Sequence, residues 1–278
     1  MAKKIAVVAP ASPLKRETAE KVKALAASLY GARAPEIFFH PQCFLARGHF
    51  AGGDTERSVA FLDVANDGAF GAVWFARGGY GSCRLDEAIF EKLNDAARRK
   101  IYLGYSDMGS LLARLYAGHI GQCVHGPMPQ DINRANGDAA IARALAFFLD
   151  RDPETIEPAV RSGKKVAAFN LTTLSHLLTA PWRPDLSGHI LMLEEVSEYH
   201  YRIDRAFFTV TSDAMIRKVA GIMLGRCRDI PVNDVDFGKT EEEICKYWCA
   251  RAGIPYLGRA DIGHDAENKI VPFGALTP

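Results

Sequence analysis

The tetrad Gly104-Tyr105-Ser106-Asp107 falls between a short apolar run, Ile101–Gly104, and a helical pattern, Met108–Ala117. A serine at such a junction is held on a tight turn with its hydroxyl above the sheet edge. The amides at the helix start then face any oxyanion that develops there. The match to G-x-S-x-G is incomplete, because Met108 occupies the second glycine's place and Gly109 follows one residue later. Taken alone, the motif leaves an N-cap role open for Ser106 or Asp107. A second stretch, Arg77-Gly78-Gly79-Tyr80-Gly81-Ser82, directly follows the apolar run Ala72–Ala76. Its three glycines let backbone amides approach a phosphate or an oxyanion. It lacks the order of a dinucleotide fingerprint and the ending of a P-loop, and a plain glycine-rich turn is the alternative.

A serine nucleophile needs a base, which histidine supplies near neutral pH when an acid orients it. Of the eight histidines, His264 lies in the glycine-flanked loop Asp261-Ile262-Gly263-His264-Asp265, the kind of place where catalytic residues sit. His40, Cys43 and His49 lack compact metal-ligand spacing, so no metal and no cofactor is expected. Glu194 and Glu195 end the apolar run His189–Leu193. Neighbouring strand residues point to opposite faces, so only one of the two can face a site.

The elements that must position these residues alternate along the first half. Strands are expected at Lys4–Ala9, Pro35–Phe39, Ala72–Ala76 and Ile101–Gly104, with a short extended piece at Cys123–Gly126. Helical patterns cover Leu14–Leu29, Glu56–Asn66, Leu85–Arg98 and Met108–Ala117. Such alternation argues for a parallel, doubly wound sheet. An Ala-rich helix at Gly137–Leu149 leads into the polar stretch 151–165, with Pro153, Pro158 and Gly163, which is the best linker. The boundaries are therefore 1–150, a linker at 151–165, and 166–278. The last part has shorter strands at Val166–Ala168, His189–Leu193 and Val219–Leu224 and helices at Leu171–Leu178 and Ile203–Ser212, and reads as α+β.

The chain has 278 residues, with 34 Lys plus Arg against 33 Asp plus Glu. No long-range field favours nucleic acid or an anionic membrane, so a small molecule or peptide is the expected ligand. The six cysteines include no CxxC pair and read as reduced, mostly buried thiols. The opening MAKKIAVVAPASP imitates a signal peptide, but Pro10 and Pro13 interrupt its apolar run. No stretch approaches the ~20 apolar residues of a membrane span. A cytoplasmic location is expected.

Taken in order, seven motifs resemble the LD-carboxypeptidase family, the serine peptidases that include murein tetrapeptide carboxypeptidases and microcin C immunity proteins. They are Val8-Ala9-Pro10-Ala11-Ser12; Phe50-Ala51-Gly52-Gly53-Asp54 with Arg57; Arg77-Gly78-Gly79-Tyr80-Gly81 with Arg84-Leu85; Gly104-Tyr105-Ser106-Asp107; His125-Gly126-Pro127; Leu193-Glu194-Glu195 with Tyr201-Arg202-Ile203-Asp204-Arg205; and Gly263-His264 with Asn268. The resemblance implies a flavodoxin-like N-terminal domain carrying the nucleophile and a C-terminal domain built around a small β-barrel carrying the acid and base. By position it makes Ser106 the nucleophile, Glu194 the acid, with Glu195 a minor rival, and His264 the base. The amides of Gly79 and Asp107 form the oxyanion hole. Arg77, Gly78, Tyr80 and Asn170 stand at substrate-binding positions, with Arg202 a further candidate for a substrate carboxylate. Phe169 replaces a glycine of the family's Gly-Gly-Asn. The implied activity is release of terminal D-Ala from a muropeptide tetrapeptide by a homodimer. Two alternatives are an immunity-type hydrolase of aminoacyl-nucleotide amides with the same triad, and a non-catalytic protein that holds a phosphate or peptide carboxylate on the glycine loop.

Overall fold

The computed structural model describes residues 4–275. Its first half runs β1 (Lys4–Val8), α1 (Arg16–Tyr30), β2 (Glu36–Phe39), α2 (Asp54–Asn66), β3 (Ala72–Phe75), α3 (Asp95–Arg98), β4 (Ile101–Gly104), α4 (Gly109–Ala117), β5 (Gln122–His125) and α5 (Gly137–Asp150). Residues Ile5–Val8 and Ala72–Phe75 have no solvent exposure, as unbroken apolar strands covered on both faces require. The strands order as β2-β1-β3-β4-β5, all parallel. This is the flavodoxin-like order, in which ligands bind beyond the carboxyl ends of the strands near the β1/β3 switch point. The turns carrying Ser12, Gly78–Gly81 and Ser106 follow β1, β3 and β4.

The second half continues the alternation: β6 (Val166–Asn170), α6 (Leu171–Leu177), β7 (Ile190–Val196), α7 (His200–Ser212), β8 (Gly221–Arg228), α8 (Glu241–Ala252), β9 (Tyr256–Arg259) and β10 (Val271–Pro272). Strands β6-β7-β8-β9 form a parallel sheet in sequential order. The expected small barrel does not form among the described residues, and the expected α+β mixture is an α/β layer. The reason is connectivity: each pair of neighbouring strands is joined through a helix, and α6, α7 and α8 pack side by side. Right-handed crossovers of one sequence direction put them on a common face of an open sheet.

Two further departures are local. The continuous helix expected over Leu85–Arg98 is broken into a 3-10 segment, Glu87–Lys92, and the single turn α3. Asp86 caps the first through Ala88 N, and Asn94 caps the second through Ala96 N and Ala97 N, so two internal caps replace one helix. The polar stretch 151–165 is tied down rather than loose, with Glu157 N donating to Ile270 O and Ile270 N to Thr155 O. The chain then returns to the first sheet, where β10 pairs antiparallel with β5, Val271 opposite His125. No helix among the described residues is long and apolar enough to cross a membrane.

Candidate active site

Ser106 follows β4 with φ +62°, a left-handed conformation that a non-glycine residue adopts at a cost. The turn is possible because Gly104 lacks a side chain: a Cβ there would lie 2.8 Å from Phe75 Cδ2 and 3.2 Å from Met108 Cβ. This strand–turn–helix geometry lifts the serine hydroxyl off the sheet edge, and it forms without the second glycine of the motif.

Ser106 Oγ lies 3.0 Å from His264 Nε2, and His264 Nδ1 lies 2.5 Å from Glu194 Oε2. The three residues are 158 and 70 positions apart, and come from the turn after β4, the loop after β9, and β7. Glu194 has no solvent exposure, and its Oε1 has no partner among the described residues. Gly225 of β8 makes room for it, since a Cβ there would meet Glu194 Cβ at 2.8 Å. Burial lowers the His264 pKa, but the charge and hydrogen bond of Glu194 outweigh it, and the net shift is upward. A hydroxyl donating to an imidazole that is itself oriented by a buried carboxylate can be deprotonated as it attacks a carbonyl.

Glu195 points to the other face of β7. Its Oε1 accepts from Asn170 Nδ2 at 2.6 Å and Val196 N at 2.9 Å, and its Oε2 from Thr172 N and Oγ1 at 2.9 and 2.7 Å. With four donors satisfied, it anchors the start of α6 and does not reach His264. Burial, reinforced by the charge of Glu194, raises its pKa.

The histidine loop is clamped from behind. Tyr105 is buried, its ring centroid 4.8 Å from that of His264, and its hydroxyl donates to Asp131 Oδ1 at 2.9 Å. Arg134 donates from Nε to the same Oδ1 at 2.8 Å and from Nη1 to His264 O at 2.9 Å. Arg226 grips Asp265 with Nε and Nη2 at 2.6 and 2.8 Å, and Asp261 with Nη1 at 2.5 Å. Asn268 Oδ1 accepts from Gly263 N at 3.2 Å and sits 3.0 Å from His125 Nε2. Burial pushes His125 down to about 4, so it stays neutral.

The glycine loop lies against the serine. A Cβ on Gly78 would be 3.0 Å from Ser106 Oγ, and one on Gly79, where φ is +113°, would strike Ser12 Oγ. Asp107 fastens this loop to the elbow: its Oδ2 accepts from Ser82 N at 2.9 Å and its carbonyl accepts from Ser82 Oγ at 2.6 Å. Burial raises the Asp107 pKa. The fully buried Arg57 binds the Pro10 carbonyl, the Gly81 carbonyl at 2.7 Å and Asp54, while Arg84 also pairs with Asp54 at 2.8 Å. These ties account for the spacing of the motifs around residues 50–57 and 77–85.

A cleft of about 470 Å³ opens at Ser106, walled by Gly79, Tyr80, Asn170, Thr172, Trp182 and Glu198 among others. Of the residues assigned to substrate binding, Gly78 touches Ser106, and Tyr80 and Asn170 line the cleft. The Asn170 amide is engaged at both ends, donating to Glu195 and accepting from Thr173 N. Arg77 is half-buried, does not line the cleft, and donates to Pro13 O at 3.3 Å. Sequence reasoning missed Tyr105, Asp131, Arg134 and Arg226 as supports. Only Tyr105, inside the tetrad, carried a local signal.

Family models for the LD-carboxypeptidase N-terminal and C-terminal domains match residues 5–126 and 165–277. The chain belongs to the LD-carboxypeptidase family. It is therefore a peptidase of the carboxypeptidase class. It is 31% identical to a Synechocystis sp. protein classed as a carboxypeptidase, over 98% of this chain and 89% of that one. It is 26% identical to the murein tetrapeptide carboxypeptidase of Pseudomonas aeruginosa, over 98% and 91%. Among solved structures, the muramoyltetrapeptide carboxypeptidase of Oxalobacter formigenes superposes with TM-score 0.77 at 23% identity, covering 97% and 93% of the two chains. The microcin C7 self-immunity protein MccF superposes with TM-score 0.76 at 19% identity, covering 98% and 91%. These likenesses at low identity show that this LD-carboxypeptidase shares their fold.

Proposed function

We propose that this LD-carboxypeptidase is a serine peptidase that releases terminal D-Ala from muropeptide tetrapeptides by cutting the amide between an L-centre and the D-residue. The observation that carries the reading is the continuous contact Glu194–His264–Ser106, 2.5 and 3.0 Å, at the mouth of a cleft. His264 takes the Ser106 proton as Oγ attacks the carbonyl, and Glu194 orients the imidazole and stabilises its charged form. The amides of Gly79 and Asp107 receive the oxyanion, each such donor lowering the barrier by about 3 kcal/mol. His264 then protonates the leaving D-Ala amine, and water, deprotonated by His264, attacks the acyl-enzyme to free the tripeptide and Ser106. The enzyme works in the cytoplasm as a homodimer in this reading, a state that sedimentation of the purified protein measures directly.

The immunity-type alternative is favoured by one feature, the indole of Trp182 on the cleft wall, which is half-exposed and offers a platform for a purine. Mass spectrometry decides between them, using L-Ala-γ-D-Glu-meso-diaminopimelyl-D-Ala and an aminoacyl-sulfamoyl adenosine as parallel substrates. Release of D-Ala that disappears in Ser106→Ala establishes the carboxypeptidase. Cleavage of the adenosine compound alone assigns the immunity reaction. Ligand binding without turnover of either, unchanged in Ser106→Ala, points to a non-catalytic binding protein.

A further inference from the structure

The cleft does not end at Trp182 and Glu198. A second cavity of about 350 Å³ adjoins it, and Thr172, His176 and Glu198 wall both. Each is on the scale of about 300–1,000 Å³ that accommodates a drug-sized ligand. The new cavity is bordered by Arg202 and Arg205 from the first two turns of α7 and by the exposed His176 from α6.

The charges there are not equivalent. Arg202 leans on Glu198 at 3.4 Å and donates from Nε to Tyr201 Oη at 3.1 Å. Arg205 stacks its guanidinium over the Tyr201 ring at 5.6 Å and has no carboxylate partner among the described residues. Glu198 is thus countered by Arg202, and Arg205 is left as the cation that the groove offers to a ligand. A guanidinium fixed by stacking presents its donor fork to a carboxylate in one orientation.

An exopeptidase that removes one residue needs little room on the leaving side of the scissile amide. A second cavity beyond the one that Ser106 lines, sharing its walls at Thr172, His176 and Glu198, therefore suits the acyl side of the substrate. We propose that Arg205, assisted by Arg202, forms an anion subsite that recognises a carboxylate on the acyl portion of the peptide, upstream of the residue whose carbonyl Ser106 attacks. This rests on the carboxypeptidase reading. In the tetrapeptide the upstream carboxylate is the α-carboxyl left free by the γ-linked D-Glu.

The test compares D-Ala release from two tetrapeptides, one with that α-carboxyl free and one with it amidated, by the wild type, Arg205→Gln, Arg205→Lys and Arg33→Gln. Arg33 is a charge control outside both cavities. The wild type is expected to favour the free acid about tenfold in kcat/KM, mainly through KM, and Arg205→Gln to bring that preference close to one. Arg205→Lys restores part of it, and Arg33→Gln retains it. Equal turnover of both peptides by the wild type, or a preference that survives Arg205→Gln, overturns the subsite while leaving the carboxypeptidase intact. Failure of the wild type to release D-Ala from either peptide removes the carboxypeptidase reading and the subsite with it.

Discussion

At the scale of single residues, the proposed mechanism needs the His264 imidazole in its neutral form to accept the serine proton. Glu194 lifts the pKa of His264 above its ordinary 6.5 despite burial, so the base form is lost as pH falls through a value higher than that of a free histidine. The acid limb of kcat/KM for D-Ala release is expected above pH 6.5. In Glu194→Gln the rate should fall by ~10³- to 10⁴-fold, and the residual limb should move to lower pH because the stabilising charge is gone. A limb that stays put in Glu194→Gln would remove Glu194 from the role of orienting acid. His125 shifts in the opposite direction. Its folded pKa of about 4 lies below the unfolded value near 6.5, so stability falls as pH drops through that window and levels off beneath it. The span corresponds to about 3 kcal/mol. Urea midpoints between pH 7 and pH 4 should drop less in His125→Gln than in the wild type.

At the scale of elements, the glycine loop and the serine elbow behave as one part. Asp107 and Ser82 lock them together, and a Cβ on Gly78 would sit 3.0 Å from Ser106 Cβ and Oγ, close enough to push the serine hydroxyl aside. Gly78→Ala is expected to leave the melting temperature within a few degrees of wild type while reducing kcat/KM more than about 100-fold, since a misplaced oxyanion donor alone has that effect. Circular dichroism and D-Ala release on the same sample separate the two effects. The Tyr105–Asp131–Arg134 cluster works similarly on the histidine loop. Asp131→Asn leaves the tyrosine and arginine donors facing a neutral amide, and should lower kcat more than it raises KM.

At the scale of the whole molecule, Ser106 follows a strand of the first sheet, Glu194 lies in the second and His264 sits in the loop that runs from one to the other, so the proposed triad depends on how the two are joined. Phe273 is a principal joint. It follows β10 in the first sheet, its amide donates to Cys123 O at 2.8 Å, and its ring packs on Phe169 of β6 at 5.1 Å and Tyr116 of α4 at 5.6 Å. Phe169 is thereby a core residue that does not line the cleft, so its bulk leaves the cleft wall unchanged. Phe273→Ala is expected to cost about 3 kcal/mol in urea denaturation and to reduce kcat in the remaining folded protein, because β6 of the second sheet and α4 of the first lose the ring packed between them. Normal kcat in that folded fraction would show that the halves hold register without it.

The sequence by itself determined the parallel sheet of the first half, whose strands are continuous apolar runs, and the serine elbow, whose glycines and strand–helix junction are local. It narrowed the acid to Glu194 or Glu195 because strand alternation is local too. The resemblance favoured Glu194, and the physical reason for that preference is visible only in the fold, where Gly225 opens space beside Glu194 while Asn170 and Thr172 occupy Glu195. The open second sheet was likewise hidden, since short strands of mixed pattern do not declare whether they close a barrel. The return of β10 to β5 and the bonds from Arg134 and Arg226 to the histidine loop depend on contacts across long sequence separations. Periodicity records the face a residue shows to its own element, and it carries no trace of the distant partner that fills the space opposite.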